Sequence, residues 1–251
     1  MKIAVIIPAR YHSTRFEGKS LVKILDKPMI QHTYEKSSQA KSVDIVVVAT
    51  DDQRIIDAVE GFGGKAVMTS GENRSGTDRV AEAAEKLGLE PSDVIINVQG
   101  DQPLLDPRCL DQVVDPFHTE PGIEISTLGF PIVRENEITN PKDIKVTFDN
   151  KGFALYFSRA PIPYGRDPET EYDTYKHLGV YAYTRRFLEV YRKLPTGRLE
   201  GIEKLEQLRV LEYGLPIRVV VTPYDSPEVD LPDDIPRIEK LMKKFKVPKV
   251  I

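Results

Sequence analysis

Between residues 3 and 98 the chain alternates short runs of aliphatic, mostly β-branched residues with amphipathic stretches. Ile3–Ile7, Ile45–Ala49, Ala66–Met68 and Val94–Val98 read as strands. Between them Asp51 is placed to cap a helix reaching about Phe62, and Val80, Ala83, Ala84 and Leu87 fall on one helical face after Asp78. Strand and amphipathic helix in alternation are βα units, whose crossover helices pack around a parallel sheet. The fold class is α/β. In open sheets of this class ligands collect beyond the carboxyl ends of the strands, so the residues after each strand carry the functional question.

The second half is less regular. Strands are expected at Ile125–Pro131, Ile144–Phe148, Phe153–Ser158 and Leu178–Tyr183, with no long helix among the first three, which points to antiparallel or mixed pairing. Helices follow around Arg185–Lys193, Gly201–Glu212 and Asp234–Lys244, with a short strand at Ile217–Val221. There is no 20–50-residue repeat and no low-complexity linker, so residues 1–251 read as a single domain. The Pro- and Gly-rich stretch Pro161–Tyr175 reads as a mobile surface loop.

Composition removes several classes of function. At 251 residues and 40% apolar side chains, the chain can bury a sizeable core without staples. Its one cysteine, Cys109, excludes an internal disulfide framework and a Cys-rich zinc site, and fits a reducing compartment. His12, His32, His118 and His177 lack the spacing of helical metal ligands, so zinc catalysis is not expected. A formal charge of −4 argues against a nucleic-acid partner, while leaving local cationic clusters free to bind a small polyanion. The apolar run Ile3–Ala9 is far short of a membrane span and shows no cleavage pattern. A cytoplasmic protein without membrane insertion is expected.

Two strand ends stand out. After the first strand, Arg10, Arg15 and Lys19 fall within ten residues, enough positive charge to neutralise a triphosphate, although such a loop can also be a solvated surface. Gly18-Lys19-Ser20 is not a P-loop, because the glycine that motif needs at position 13 is Ser13. Gly61-Phe62-Gly63-Gly64 lacks dinucleotide-fingerprint spacing and reads as a helix end. After the fourth strand, Gly100 permits a sharp turn or close backbone approach and leaves Asp101 near those cations, where it can hold magnesium or merely serve a turn. Asp230 is a second candidate carboxylate, since Asp233 or Asp234 suffices to cap the last helix. Two hard oxygen ligands, phosphate oxygens and water make a magnesium site.

Several segments together resemble one family. They are Ile6-Ile7-Pro8-Ala9-Arg10 with Ser13-Thr14-Arg15 and Gly18-Lys19, Ala49-Thr50-Asp51, Arg74-Ser75-Gly76-Thr77-Asp78-Arg79, Asn97-Val98-Gln99-Gly100-Asp101, Ala154–Ala160, His177-Leu178-Gly179-Val180-Tyr181 and Leu205-Glu206-Gln207-Leu208-Arg209. In this order they resemble the CMP-KDO synthetases, or 3-deoxy-manno-octulosonate cytidylyltransferases, over essentially the whole chain.

The resemblance implies a Rossmann-like α/β nucleotidyltransferase fold with a mixed, mainly parallel central sheet and a smaller mixed or antiparallel part. It implies CTP and KDO as substrates, magnesium as cofactor, a homodimer, a sugar-binding and dimerisation region within about 120–215, and a place in bacterial lipopolysaccharide synthesis. By position, Ala9, Arg10, Arg15, Lys19, Arg74, Ser75, Gly76, Thr77, Arg79 and Gln99 match nucleotide-binding residues, and Asp101 and Asp230 the metal carboxylates. Arg10, Lys19, Asp101 and Asp230 match the catalytic set. Gln99, Arg159, His177, Tyr181, Glu206 and Gln207 match the sugar side. The family pattern Val-Asp-Thr-Pro is Val229-Asp230-Leu231-Pro232 here, which keeps the carboxylate and puts only local backbone contacts in question. Taken singly, these residues have plainer readings: Ser75, Thr77 and Asp78 as a helix start, Tyr181 as a core aromatic, His177 as a strand-end histidine, Glu206 and Arg159 as surface charges. CMP-sialic acid synthesis, nucleotide-sugar-dependent glycosyl transfer and nucleotide binding without turnover are the competing functions.

Overall fold

The computed structural model describes residues 1–12, 16–167 and 169–246. Eleven strands are found there: β1 Ile3–Ala9, β2 Lys23–Ile24, β3 Lys27–Pro28, β4 Ile45–Thr50, β5 Ala66–Met68, β6 Val94–Asn97, β7 Ile125–Pro131, β8 Lys145–Phe148, β9 Ala154–Ser158, β10 Tyr175–Thr184 and β11 Arg218–Val221. The α-helices are α1 Met29–Ser37, α2 Gln53–Gly61, α3 Gly76–Lys86, α4 Pro107–Thr119, α5 Glu135–Thr139, α6 Arg185–Lys193, α7 Arg198–Glu203, α8 Gln207–Glu212 and α9 Ile235–Lys246.

Nine strands form one sheet in the order β11-β7-β10-β6-β1-β4-β5, with β8 paired to β10 and β9 to β8. The pairs β1–β4, β1–β6, β4–β5 and β7–β11 are parallel, whereas β10 runs antiparallel to β6, β7 and β8. The expected mixed, mainly parallel α/β sheet is what forms, and β2–β3 is a separate two-stranded antiparallel ribbon. β1 shows why the sheet is covered on both faces. Ile3, Val5, Ile7 and Ala9 pack into one core with residues of α1, α2 and α4, while Ala4 and Ile6 enter the other with residues of α3, α6 and α8. Fully burying each such isoleucine is worth roughly 1.5–3 kcal/mol, so this strand accepts charge only past its end.

Several expected boundaries move, each for a physical reason. Asp52 rather than Asp51 caps α2, accepting from the Arg54 amide at 3.0 Å, because the Asp51 carboxylate is taken by Arg79. The expected helix Gly201–Glu212 is two helices, α7 and α8, broken at Lys204, whose φ is +56°. Asp234 does not cap α9 directly. Its carboxylate accepts from the amides of Asp230 and Leu231, both at 2.9 Å, at a 3-10 turn that precedes the helix. Helices α1 and α4 were not anticipated, although Asp106-Pro107 before α4 is a capping aspartate followed by a first-turn proline. Residues 161–174 form no helix or strand among those described, and Tyr164 is 86% exposed there.

Candidate active site

At the carboxyl edge of β1 the chain leaves the sheet at Arg10, whose guanidinium donates to the carbonyl of Asn73, just before α3. The loop closes where the Gly18 amide donates to the Tyr11 carbonyl at 2.8 Å, and Lys19 then opens a 3-10 turn. Arg15 lies outside the described residues. Lys19 Nζ sits 2.6 Å from Asp101 Oδ2 and 3.9 Å from Asp230 Oδ1, so three residues more than 200 positions apart at their extremes share one site.

Backbone contacts explain the meeting. After β6 the chain turns through Gly100, where a Cβ would come within 3.2 Å of Ile30 Cδ1 and 3.5 Å of the Pro8 carbonyl. Glycine is what allows Asp101 to sit this close to β1. The Val229 amide donates to the Asp101 carbonyl at 3.0 Å, stitching the distant Asp230 segment alongside, and the Asp234 carboxylate holds the next two amides. Leu231, the departure from the family pattern, therefore leaves the backbone at Asp230 anchored.

This donor set fits a hard cation. Asp101 Oδ1 is buried and accepts no hydrogen bond from the described residues, which is costly unless another group satisfies it. Glu228, although exposed along a neighbouring cavity, is pushed up to about 8 by the protein around its carboxyl and by the charge of Asp101 and then Asp230. Negative charge is thus in excess beside a single lysine. No group of three or more His, Cys, Asp or Glu side chains among the described residues forms a metal-holding cluster. A magnesium ion at Asp101 and Asp230 would draw its remaining ligands from phosphate oxygens and water, the usual habit of that ion.

The segment before α3 forms the second wall. Ser75 Oγ accepts from the Asp78 amide at 3.1 Å and so caps the helix, whose first turn holds Gly76 and Thr77. Arg74 is exposed. Arg79 is fully buried, donating to Thr69 Oγ1 at 2.5 Å and Asp51 Oδ2 at 2.9 Å. It supports this edge from inside the protein rather than reaching its surface. The plain reading of Ser75–Thr77 as a helix start therefore holds, and Gly76 and Thr77 also line a cavity.

That cavity, of about 260 Å³, is lined by Thr77, Gln99, His177, Tyr181, Glu206 and Gln207 among others. Five of the six residues matched to the sugar side are thereby brought together. The sixth, Arg159, is not at the cavity: its guanidinium donates to the carbonyls of Glu203 at 2.7 Å and Pro141 at 2.9 Å. Thr77 Oγ1 donates to Glu206 Oε2 at 2.8 Å, and Tyr191 donates to the same oxygen at 3.4 Å. Burial raises the Glu206 carboxyl above its ordinary range, and the Thr77 hydrogen bond opposes that shift. Burial also raises the phenols of Tyr181, Tyr183 and Tyr191, so all three present protonated hydroxyls.

Thr127 fixes the state of His177. Its one hydroxyl proton goes to the Val180 carbonyl at 2.7 Å, so at 2.8 Å from His177 Nε2 it must accept. His177 is the Nε2–H tautomer, with Nδ1 left as an acceptor, and burial pushes its pKa down to about 3. Reading the sequence missed Asn97, Tyr183, Tyr191 and Lys204 on the cavity wall. Asn97, a polar residue closing an apolar strand at the functional edge, was the available signal; the others carried none.

The chain matches the model of the family described as cytidylyltransferase over residues 4–219. The chain belongs to this family. It is 64% identical to a 3-deoxy-manno-octulosonate cytidylyltransferase of Desulfatibacillum aliphaticivorans, over 97% of this chain and 99% of that one. It is 56% identical to an 8-amino-3,8-dideoxy-manno-octulosonate cytidylyltransferase of Shewanella amazonensis, again over 97% and 99%. Among solved structures, CMP:2-keto-3-deoxy-manno-octonic acid synthetase complexed with CTP superimposes with a TM-score of 0.91 at 41% identity, covering 98% of this chain and all of that one. The resemblance drawn from the sequence segments is borne out, as is the expectation of an enzyme of this class. No helix among the described residues of this cytidylyltransferase is long and apolar enough to cross a membrane.

Proposed function

We propose that this chain transfers CMP from CTP to the anomeric hydroxyl of KDO and releases pyrophosphate. The observation that carries the reading is the convergence of Lys19, Asp101 and Asp230 at one sheet edge, beside a cavity walled by Gln99, His177, Tyr181, Glu206 and Gln207. A cationic loop next to paired carboxylates suits a triphosphate whose negative charge is bridged by a metal, and a polar cavity with tyrosine hydroxyls suits a polyol.

In this reading Arg10 and Lys19 bind the phosphates and stabilise the charge that grows on departing pyrophosphate. Asp101 and Asp230 would hold magnesium, which when bound would neutralise phosphate charge and acidify the attacking hydroxyl. The Ser75–Thr77 turn and the backbone near Ala9 border the pyrimidine. His177, neutral across the working pH range, accepts a hydrogen bond from a sugar hydroxyl through Nδ1, and Tyr181 donates one. Holding both substrates in line provides much of the rate. Magnesium dependence, the homodimer and the cytoplasmic setting belong to this same proposal.

Pyrophosphate release should be measured with each of four nucleoside triphosphates and with KDO, its 8-amino analogue or sialic acid as acceptor. CTP with KDO is expected to be the best pair and UTP a poor donor. Equal kcat/KM for CTP and UTP at matched magnesium would sink the nucleotide assignment. The relatives from Shewanella make the 8-amino sugar the second reading, and its kcat/KM against that for KDO decides between them.

A further inference from the structure

We propose that Lys204 reads the carboxylate of the acceptor sugar. The proposal rests on the function argued above, since it concerns an acidic sugar in the cavity beside Asp101. Such a substrate brings a negative charge into a space that already contains Glu206, so a cation must face it. Arg159, the arginine the family pattern offers, spends its guanidinium on two main-chain carbonyls and does not line the cavity. His177 is uncharged. Among the described residues Lys204 is the one cationic side chain on the cavity wall, it is exposed, and its ammonium pairs with no acid. Nearby Arg209 is by contrast neutralised by Glu200 through two hydrogen bonds, at 2.8 and 2.5 Å.

The backbone carries an independent sign. Lys204 stands at φ +56° and ψ +47°, the left-handed conformation that ends α7 with its amide donating to the Glu200 carbonyl at 2.8 Å. Glycine fills that position most comfortably, and any residue with a Cβ is strained there. The strained position also breaks what would be one helix, and by doing so it turns Lys204, Glu206 and Gln207 onto the same cavity. Strain of this kind is characteristic of residues that clamp a ligand.

The conformation provides a clean test. Lys204→Gly removes the ammonium while relieving the backbone, so its melting temperature should equal or exceed that of the wild type. With CTP saturating, KM for KDO should rise about 10- to 100-fold, the loss expected for one charged hydrogen bond, while KM for CTP stays within about twofold. Lys204→Arg should recover most of that loss. A KDO analogue with the carboxylate reduced to an alcohol should be used equally poorly by the wild type and Lys204→Gly. Wild-type enzyme with no CMP transfer to KDO would overturn the function itself. Active wild type with an unchanged KM for KDO in a folded Lys204→Gly enzyme would overturn only the role of Lys204.

Discussion

Asp101→Asn tests the proposed metal site with little change of shape. Asp101 now shares Lys19 with Asp230 and keeps a buried, unpartnered Oδ1, so the two carboxylates exceed the one ammonium by a charge. Removing that charge loses the Lys19 pair but also the cost of crowding, and the metal-free protein should change stability by no more than about 1 kcal/mol. The magnesium response should change far more. At free magnesium tenfold above the Kd of the proposed site, linkage would stabilise the wild type by about 1.4 kcal/mol. For a chain of this length that is a rise in Tm of about 3–6 °C. Asp101→Asn should show almost none of this rise. Because the carboxylate matters most as charge shifts toward the leaving group, turnover should fall at least about 10²-fold, equivalent to about 2.7 kcal/mol of lost transition-state stabilisation. Thermal melts with and without magnesium, and a pyrophosphate-release assay, measure the two effects. A folded variant with near wild-type turnover and an undiminished magnesium shift would return Asp101 to the role of a turn residue, which asparagine fills equally well.

Arg79→Met should destabilise the chain by about 3 kcal/mol, less than the loss of a fully buried pair because Asp51 keeps some contact with water; urea unfolding reads this, and a loss below about 1 kcal/mol would mean that Arg79 is not the internal support described. His177 sets a pH dependence. Its folded pKa near 3 lies below the ordinary 6.5, so its contribution is complete above pH 6.5 and is lost as pH falls toward 3, by about 1.4 kcal/mol per pH unit. Unfolding of His177→Gln at pH 6 and pH 5 should show a correspondingly shallower loss than the wild type, and parallel losses would contradict the buried neutral histidine.

The half of the chain whose structure is written locally was legible. β1, β4, β5, β6 and β7 lie within two residues of their expected limits, because a buried strand in a parallel sheet is a continuous apolar run that few other structures tolerate. Lys19 and Asp101 could be placed at one edge because parallel strands end on the same side. What could not be read were events decided by contacts distant in sequence. The αL break at Lys204 interrupts a stretch with ordinary helical spacing, and nothing in Glu203-Lys204-Leu205 announces it. Arg79 was matched to the nucleotide side by its place in the family segment, and only the meeting of Asp51 with Thr69 makes a buried site for it. Glu206, plausible as a surface charge, is drawn inward by hydroxyls on α3 and α6.

Strand β10 explains why a cavity exists beside the Lys19–Asp101 edge at all. It runs against β6, with Tyr181 opposite Asn97 and Thr184 opposite Val94, so its earlier residues overshoot the carboxyl end of β6. On that side Tyr175 and Lys176 pair instead with β8, and the two ladders leave a fork between them. Ile144 on the β8 side, Asn97 and Gln99 on the β6 side, and His177 and Gly179 between them all line the cavity. On its other side β10 bulges against β7 between His177 and Tyr181, with Gly179 at φ +70°. A bulge re-aims side chains that strict alternation would send to fixed faces. Thr127 pins it by bonding both the Val180 carbonyl and His177, and Gln102 pins it by donating to the Leu178 carbonyl at 2.5 Å. An all-parallel sheet would present only strand ends and loops at this edge. One reversed strand extends rigid sheet past the others, so His177 and Tyr181 rest on β structure, while Lys19, Asp101 and Asp230 stand on turns and loops beside it.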